Sequence, residues 1–263
     1  MPSVNTGSYK IKSIRVSKDH VTLSFFKNES LKISKEAYLS TYLYEGKNLS
    51  KKEIASLKEI TAMSELLNYA LKIVSKKHLS EKALLEKLLE KEDNYPVAKK
   101  VINKLKENDL VDDAAYMEDL IAWDHERFFG KNKIIKHLKD KGIPESLINK
   151  ASFPLSLERK KAKSLIDKYE KKYSRYAYES KKQHIYQALL TQGYTGDVAK
   201  EVLEGVKKGS PKNEKEILKK DYQKIKARYS KKYQGYELKQ KIYSALALKG
   251  YKYDEIQSVL EDY

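Results

Sequence analysis

The chain has no cysteine. A disulfide framework and thiolate chemistry are therefore excluded, and nothing argues for an oxidising compartment. No apolar run approaches the length of a membrane span, and the opening MPSVNTGSYK lacks the basic-then-apolar pattern of a leader peptide. The expectation is a soluble cytoplasmic protein. The phosphate-binding loop G-x-x-x-x-G-K-[ST] and the dinucleotide fingerprint G-x-G-x-x-G are both missing. So are HExxH, GxSxG and any Cys/His pairing, while the five histidines are scattered. No enzyme chemistry, cofactor or resident metal is expected, and function should reside in surfaces.

What is present is charge. Charged residues make up 35% of the chain against 40% apolar, with a formal net charge of +17. The apolar residues are periodic, which points to folded helices rather than disorder. The charge is unevenly placed. Residues 158–250 carry about 25 Lys/Arg against about 11 Asp/Glu, roughly +14, whereas residues 81–126 are acidic by roughly 6. A polyanion is the first partner implied for the basic half; a solvated lysine-rich surface is the alternative.

A unit of sequence occurs twice near the C-terminus. IYQALLTQGYTGDVAKEVLE (185–204) and IYSALALKGYKYDEIQSVLE (242–261) are offset by about 57 residues, the signature of a tandem array. Gly193 matches Gly250, Tyr194 matches Tyr251, and Lys182-Gln183 match Lys239-Gln240. A fainter copy, IIKHLKDKGIPESLINKAS, puts Gly142 in the same place. A fourth, ALLEKLLEKEDNYPVAKKVI, shares only its proline, Pro96 for Pro144. Each copy reads as helix, turn, helix. Glycine suits the turn because a helix end commonly needs positive φ, and proline suits the start of the next helix, where no amide hydrogen is needed.

Before the repeats, residues 9–33 read as a three-stranded meander. Val21, Leu23 and Phe25 alternate, and turns fall at Lys18-Asp19 and Asn28-Glu29. Ser34 can cap a short helix ended by Gly46, and Ser50-x-x-Glu53 is a capping box. The remainder reads as helical. Leu66, Leu67, Ala70, Leu71 and Val74 form one stripe, and Asp112 caps a helix bearing Tyr116, Leu120 and Trp123 that ends near Gly130. Two long charged helices follow near 157–176 and 213–233.

Few residues suggest chemistry. Asp112-Asp113 could be an acid/base pair, but adjacent side chains diverge and an N-cap accounts for the first. Asp119, Asp124, His125 and Glu126 include ligand types, yet His125 is i+3 or i+4 to neither aspartate. The best surface is the Lys/Tyr interleave of 169–186 and 229–243. Lysine neutralises phosphates and tyrosine can stack on bases. Tyr169, Tyr173 and Tyr176 have core spacing, and Tyr186 and Tyr243 occupy a repeated apolar position. Tyr178 and Tyr236 fall at turns, free to meet a ligand. The candidate binding residues are Lys131, Lys133, Lys171, Lys172, Arg175, Tyr178, Lys181, Lys182, Lys231, Lys232, Tyr236 and Lys239, with the lysines opposite the core stripe.

Several of these stretches resemble the RecX family, bacterial regulators of the RecA recombinase. The likeness runs from HLSEKALLEKLLEK through LKENDLVDD and Tyr116 to FFGKNKIIKHLKDKGI (128–143), and returns in KKQHIYQALLTQGY and LKQKIYSALALKGY. It covers roughly residues 60–263, and LVDDxxY and Gly130 with the later Lys-Gly-Ile are its most specific parts. The meander plus four units is similar to the longer Gram-positive form. Asp93-Asn94 departs from the family by replacing the glycine turn. The resemblance implies an all-α array of three-helix repeats lying on the RecA–DNA filament. It implies a regulator, mostly an inhibitor, in DNA repair, recombination and the SOS response. It also implies no catalysis by this chain.

The expected fold is mainly α, with tandem three-helix repeats in an elongated curved array after a small N-terminal β-meander. The expected segments are 1–60 (meander and cap), 61–111, 112–156, 157–211 and 212–263 (four repeats). The expected partners are the RecA filament and single- and double-stranded DNA, with no membrane, for a monomer. A helical nucleic-acid-binding module without a specific RecA partner is the other functional reading.

Overall fold

The structure, a computed structural model, describes residues 9–26 and 28–261. It is mainly helical, with one small antiparallel sheet at the N-terminus. The chain divides into two compact units. The first takes the described residues to Glu118 together with Lys139–Leu147; the second takes Asp119–Leu138 and the described residues from Ile148 onward.

In the first unit, β1 (Tyr9–Val16), β2 (Val21–Phe25) and β3 (Ser30–Ile33) form the expected meander. A fourth strand, β4 (Asn48–Leu49), pairs with β1 and makes the order β3-β2-β1-β4. Two residues carry too little periodicity to announce a strand, so the sequence pattern missed it. The alternation of Val21, Leu23 and Phe25 holds, and all three are buried. In β1 the register shifts between Ile11 and Ser13. This bulge keeps Ile11 buried, leaves Ile14 half-buried and turns Val16 outward.

Ser34 caps α1 (Lys35–Leu39) by accepting from the Ala37 amide. The helix ends at Ser40, not at Gly46; Gly46 sits at φ +93° in the loop before β4. The Ser50–Glu53 capping box opens α2 (Lys51–Val74) as expected. This helix runs unbroken through the anticipated boundary at 60/61. Its first half lends Ile54 and Leu57 to the core under the sheet. Its second half lends Leu66 and Ala70 to a core shared with α3 (Glu81–Lys91) and α4 (Tyr95–Glu107). Fully burying a leucine such as Leu84 or Leu88 is worth about 1.5–3 kcal/mol, so these helices owe their stability to packing more than to propensity. Pro96 is the second residue of α4 rather than the first, and Asn94 supplies its cap.

Helix α5 (Asp113–Glu126) begins as expected, with the Asp112 carboxylate accepting from the amides of Ala114 and Ala115. Asp113 faces the other way and accepts from the Glu81 amide at the start of α3. The helix stops at Glu126, ahead of the expected end near Gly130. The turn is made by Phe128 at φ +56°. Then come α6 (Lys131–Asp140) and a single turn, α7 (Glu145–Ile148).

In the second unit, α8 (Leu155–Lys172), α9 (Tyr178–Thr191) and α10 (Gly196–Leu203) surround one core, with Leu165, Ile166, Ile185, Leu189, Tyr194 and Val198. Helices α11 (Pro211–Tyr229), α12 (Gly235–Leu248) and α13 (Tyr253–Glu261) surround an equivalent one, with Ile217, Tyr222, Ile242, Leu246, Tyr251 and Ile256. The glycine turns after α6, α9 and α12 all have positive φ: +79° at Gly142, +96° at Gly193 and +84° at Gly250. The equivalent turn after α3 has none, in line with Asp93-Asn94 standing there.

Candidate nucleic-acid interface

The candidate binding residues of α8–α9 and α11–α12 lie where the sequence spacing puts solvent, with two exceptions. Lys171 and Lys172 end α8 in solvent, and Arg175 follows in the exposed connection. Lys231 and Lys232 are exposed in the matching connection after α11, and Lys239 is exposed on α12. Lys182 is half-buried on α9, its ammonium 5.5 Å from the Tyr178 ring centre. Among the described residues none of these seven cations makes an ion pair. Their charge is therefore not spent internally. Lys131 and Lys133 sit in the first turn of α6.

The first exception is Lys181. It is 8% exposed, and its ammonium donates to the Lys207 carbonyl at 2.9 Å. It therefore faces the core, not a ligand. Its counterpart one repeat later is Leu238, which packs against the α11–α13 core. Lys182, not Lys181, is the partner of Lys239. The second exception is Tyr178. It is the first residue of α9, its ring packs against the α8–α10 core, and its hydroxyl donates to the Val206 carbonyl at 3.3 Å. Its repeat equivalent is Gly235, which removes the ring altogether. Tyr236, by contrast, is 77% exposed.

The tyrosines assigned to cores divide likewise. Tyr169 is buried, but Tyr173 and Tyr176 are half-buried and both touch His184, with ring centres 5.3 and 4.2 Å from the imidazole. Tyr186 and Tyr243 are half-buried too. Each lines a groove between the second and third helices of its repeat. One groove, of about 610 Å³, is bordered by Lys182, Gln183, Tyr186 and Leu203. The other, of about 630 Å³, is bordered by the matching Lys239, Gln240, Tyr243 and Leu260. The recurring Lys-Gln-x-x-Tyr spacing is the sequence signal for this concavity. It stayed hidden because a half-buried position looks apolar in a period count.

A polar network is buried in the second unit near α5. The Lys161 ammonium donates to the Phe129 carbonyl at 2.6 Å and to His125 Nδ1 at 2.8 Å, and lies 2.6 Å from a Glu158 oxygen. The other Glu158 oxygen accepts from the Lys131 amide at 2.8 Å, at the start of α6. Burial and the neighbouring ammonium both push the His125 pKa below its usual value. Asp124 is fully buried and sits 2.7 Å from His137 Nδ1. Of the four ligand-type residues 119, 124, 125 and 126, two thus work inside the fold. Among the described residues no group of three such side chains could hold a metal. Burial and nearby carboxylates raise the pKa of Tyr194 and of Tyr251, so both stay protonated donors. Tyr194 donates to the Phe128 carbonyl and Tyr251 to Asp221.

A family model described as RecX, third three-helix domain, matches residues 213–260, which span α11–α13. A regulatory protein RecX from Lactococcus lactis subsp. lactis is 32% identical over 251 residues, covering 92% of this chain and 93% of its own. The chain belongs to the RecX family. A crystal structure of regulatory protein RecX shares the fold at a TM-score of 0.62 and 23% identity, covering 74% of this chain and 99% of that one. A second, of RecX from Lactobacillus salivarius, aligns at a TM-score of 0.52 with 26% identity over 55% of this chain and 96% of its own. This RecX-family member is thus a regulatory protein built mainly from three-helix units, and among the described residues no helix is long and apolar enough to cross a membrane.

Proposed function

We propose that this RecX-family regulator binds the RecA–DNA filament in the cytoplasm and restrains RecA, mostly by inhibiting filament growth. It acts as a monomer without catalysis of its own. Four repeats (61–111, 112–156, 157–211 and 212–263) follow an N-terminal segment of 1–60. The observation that carries the reading is the set of unpaired cations repeated on α8–α9 and α11–α12 of a RecX-family chain. Lysines with no ion-pair partner among the described residues suit phosphates, and their recurrence suits a partner that is itself periodic. Lys131, Lys133, Lys171, Lys172, Arg175, Lys182, Lys231, Lys232, Tyr236 and Lys239 are the proposed contacts.

The test is RecA-dependent ATP hydrolysis on single-stranded DNA. Turnover falls at substoichiometric amounts of this protein if it blocks filament growth. Unchanged turnover in large excess removes the RecA reading and leaves a nucleic-acid-binding module, which the charge alone would also support.

A further inference from the structure

The chain has one tryptophan, and it is half-exposed: Trp123, on α5, at 50%. It belongs to a row of side chains that alternate aromatic and cation. The Arg127 guanidinium lies 4.4 Å from the Trp123 ring centre and 4.5 Å from that of Phe129. The Lys133 ammonium lies 3.8 Å beyond, over Phe129. At the other end the His137 ring is 5.9 Å from Trp123. Among the described residues Arg127 and Lys133 make no ion pair, and the nearby Asp124 carboxylate is turned inward to His137. On α5, Asp119 and Glu126 are spaced i−4 and i+3 from Trp123.

The backbone that presents this row is held unusually firmly. Phe128 adopts φ +56°, an outlier for a bulky residue, and such strain persists only where surroundings enforce it. Here three successive carbonyls are held by side chains. Arg127 O accepts from Gln192 Nε2, Phe128 O from the Tyr194 hydroxyl and Phe129 O from the Lys161 ammonium, at 3.3, 2.8 and 2.6 Å. The turn places Phe129 beside Arg127 where a continued helix would carry it round to another face.

We infer that Trp123 forms a stacking site for an unpaired base of single-stranded nucleic acid, with Arg127, held between Trp123 and Phe129, and Lys133 meeting the phosphates. The inference rests on the nucleic-acid half of the reading above and adds a site outside the basic faces of α8–α12. Charge complementarity favours a polyanion over an apolar peptide. The half-exposed indole favours unpaired bases over duplex, whose base faces are already stacked. Held in place before binding, the row loses little side-chain entropy when a base lands on it.

Trp123 is also its own reporter. Oligodeoxythymidine should quench its emission saturably, while an abasic strand of equal length or a duplex should bind without that quench. Trp123→Ala should weaken oligodeoxythymidine binding about 5- to 150-fold, the range that loss of one stacked base entails, and leave the abasic strand unaffected. Trp123→Phe should retain most of the affinity. The quench in the unaltered protein keeps the idea falsifiable even if the alanine variant misfolds. Absent quenching, or an unchanged ratio of oligodeoxythymidine to abasic affinity in Trp123→Ala, overturns it. So does a variant that binds single strands normally yet no longer lowers RecA turnover, which would make the row a protein contact. Quenching that persists in a protein without effect on RecA would sink the filament reading and leave this site standing.

Discussion

Gly130 and Gly193 meet backbone to backbone. The Gly130 amide donates to the Gln192 carbonyl and the Asn132 amide to the Gly193 carbonyl, both at 2.9 Å. The turn that closes α9 thereby satisfies free amides at the start of α6, and the two helix dipoles meet head to tail. The same arrangement recurs along the chain. Gly142 faces Ser80 and Lys82 at the start of α3, where Ser80 also donates to the Lys141 carbonyl. Gly250 faces Glu179 and Ser180 in the first turn of α9. These glycine turns therefore dock on the first turns of earlier helices, α6 for Gly193, α3 for Gly142 and α9 for Gly250.

The docking predicts which glycines tolerate a methyl group. One on Gly130 would stand 2.6 Å from the Gly193 oxygen, and one on Gly193 would stand 2.5 Å from the Lys133 amide nitrogen. Gly130→Ala should cost at least the ~1–3 kcal/mol typical of overpacking, because backbone, not a movable side chain, is in the way. Gly46 has a similar positive φ but open space around it, so Gly46→Ala should cost only the left-handed penalty of about 1–2 kcal/mol. Urea unfolding of the two variants checks the ranking, and equal losses would refute the docking account.

Replacing Lys182, Lys231, Lys232 and Lys239 by Gln should weaken DNA binding regardless of sequence. It should also flatten the dependence of log affinity on log salt, by up to about 0.9 per lysine on duplex and about 0.7 on single strands. Lys181→Gln should leave that slope unchanged, because its ammonium is already bound to the Lys207 carbonyl inside the fold. Affinity measured across a salt series decides between this outcome and a merely solvated lysine surface, for which the quadruple variant would match the parent.

His125 should make the second unit sensitive to acid. Its folded pKa lies below the ordinary 6.5, so the unfolded chain binds more protons than the fold just below pH 6.5. The stability contributed by the neutral ring is complete above 6.5 and is lost as pH falls from there through the depressed folded value. Thermal unfolding at pH 7.5 and 5.5 should show a drop that His125→Gln reduces. An identical drop in the variant would assign the acid sensitivity to other groups.

A fragment ending at Gly209 should still unfold cooperatively, since the α8–α10 core is complete within it. A fragment ending at Ser156 should fare worse. It loses Glu158 and Lys161, which hold the Lys131 amide and the Phe129 carbonyl, and Tyr194, which holds Phe128. Circular dichroism melts of the two fragments test this; a broad, non-cooperative transition in the longer one would contradict separable repeats.

Local rules were legible from the residues. Ser34 and Ser50 each cap the helix that follows, and the repeat period put Gly142, Gly193 and Gly250 at equivalent turns. Caps act over three residues and core stripes over four, so sequence spacing reports them directly. The same logic misplaced Lys181 and Tyr178, because a charge or a turn position says nothing about a carbonyl 26 or 28 residues away.

The sequence by itself determined the helical repeats, the sheet's buried face, the uneven charge and the likeness to RecX proteins. Each follows from composition, short spacings or alignment. Only the tertiary structure decided that Asp124 meets His137, that Lys161 reaches His125, and that Trp123, Arg127, Phe129 and Lys133 line up. The last depends on one left-handed turn at Phe128, enforced by donors from Tyr194 in the α9–α10 turn and Lys161 on α8, and no local period encodes a backbone conformation imposed from so far along the chain.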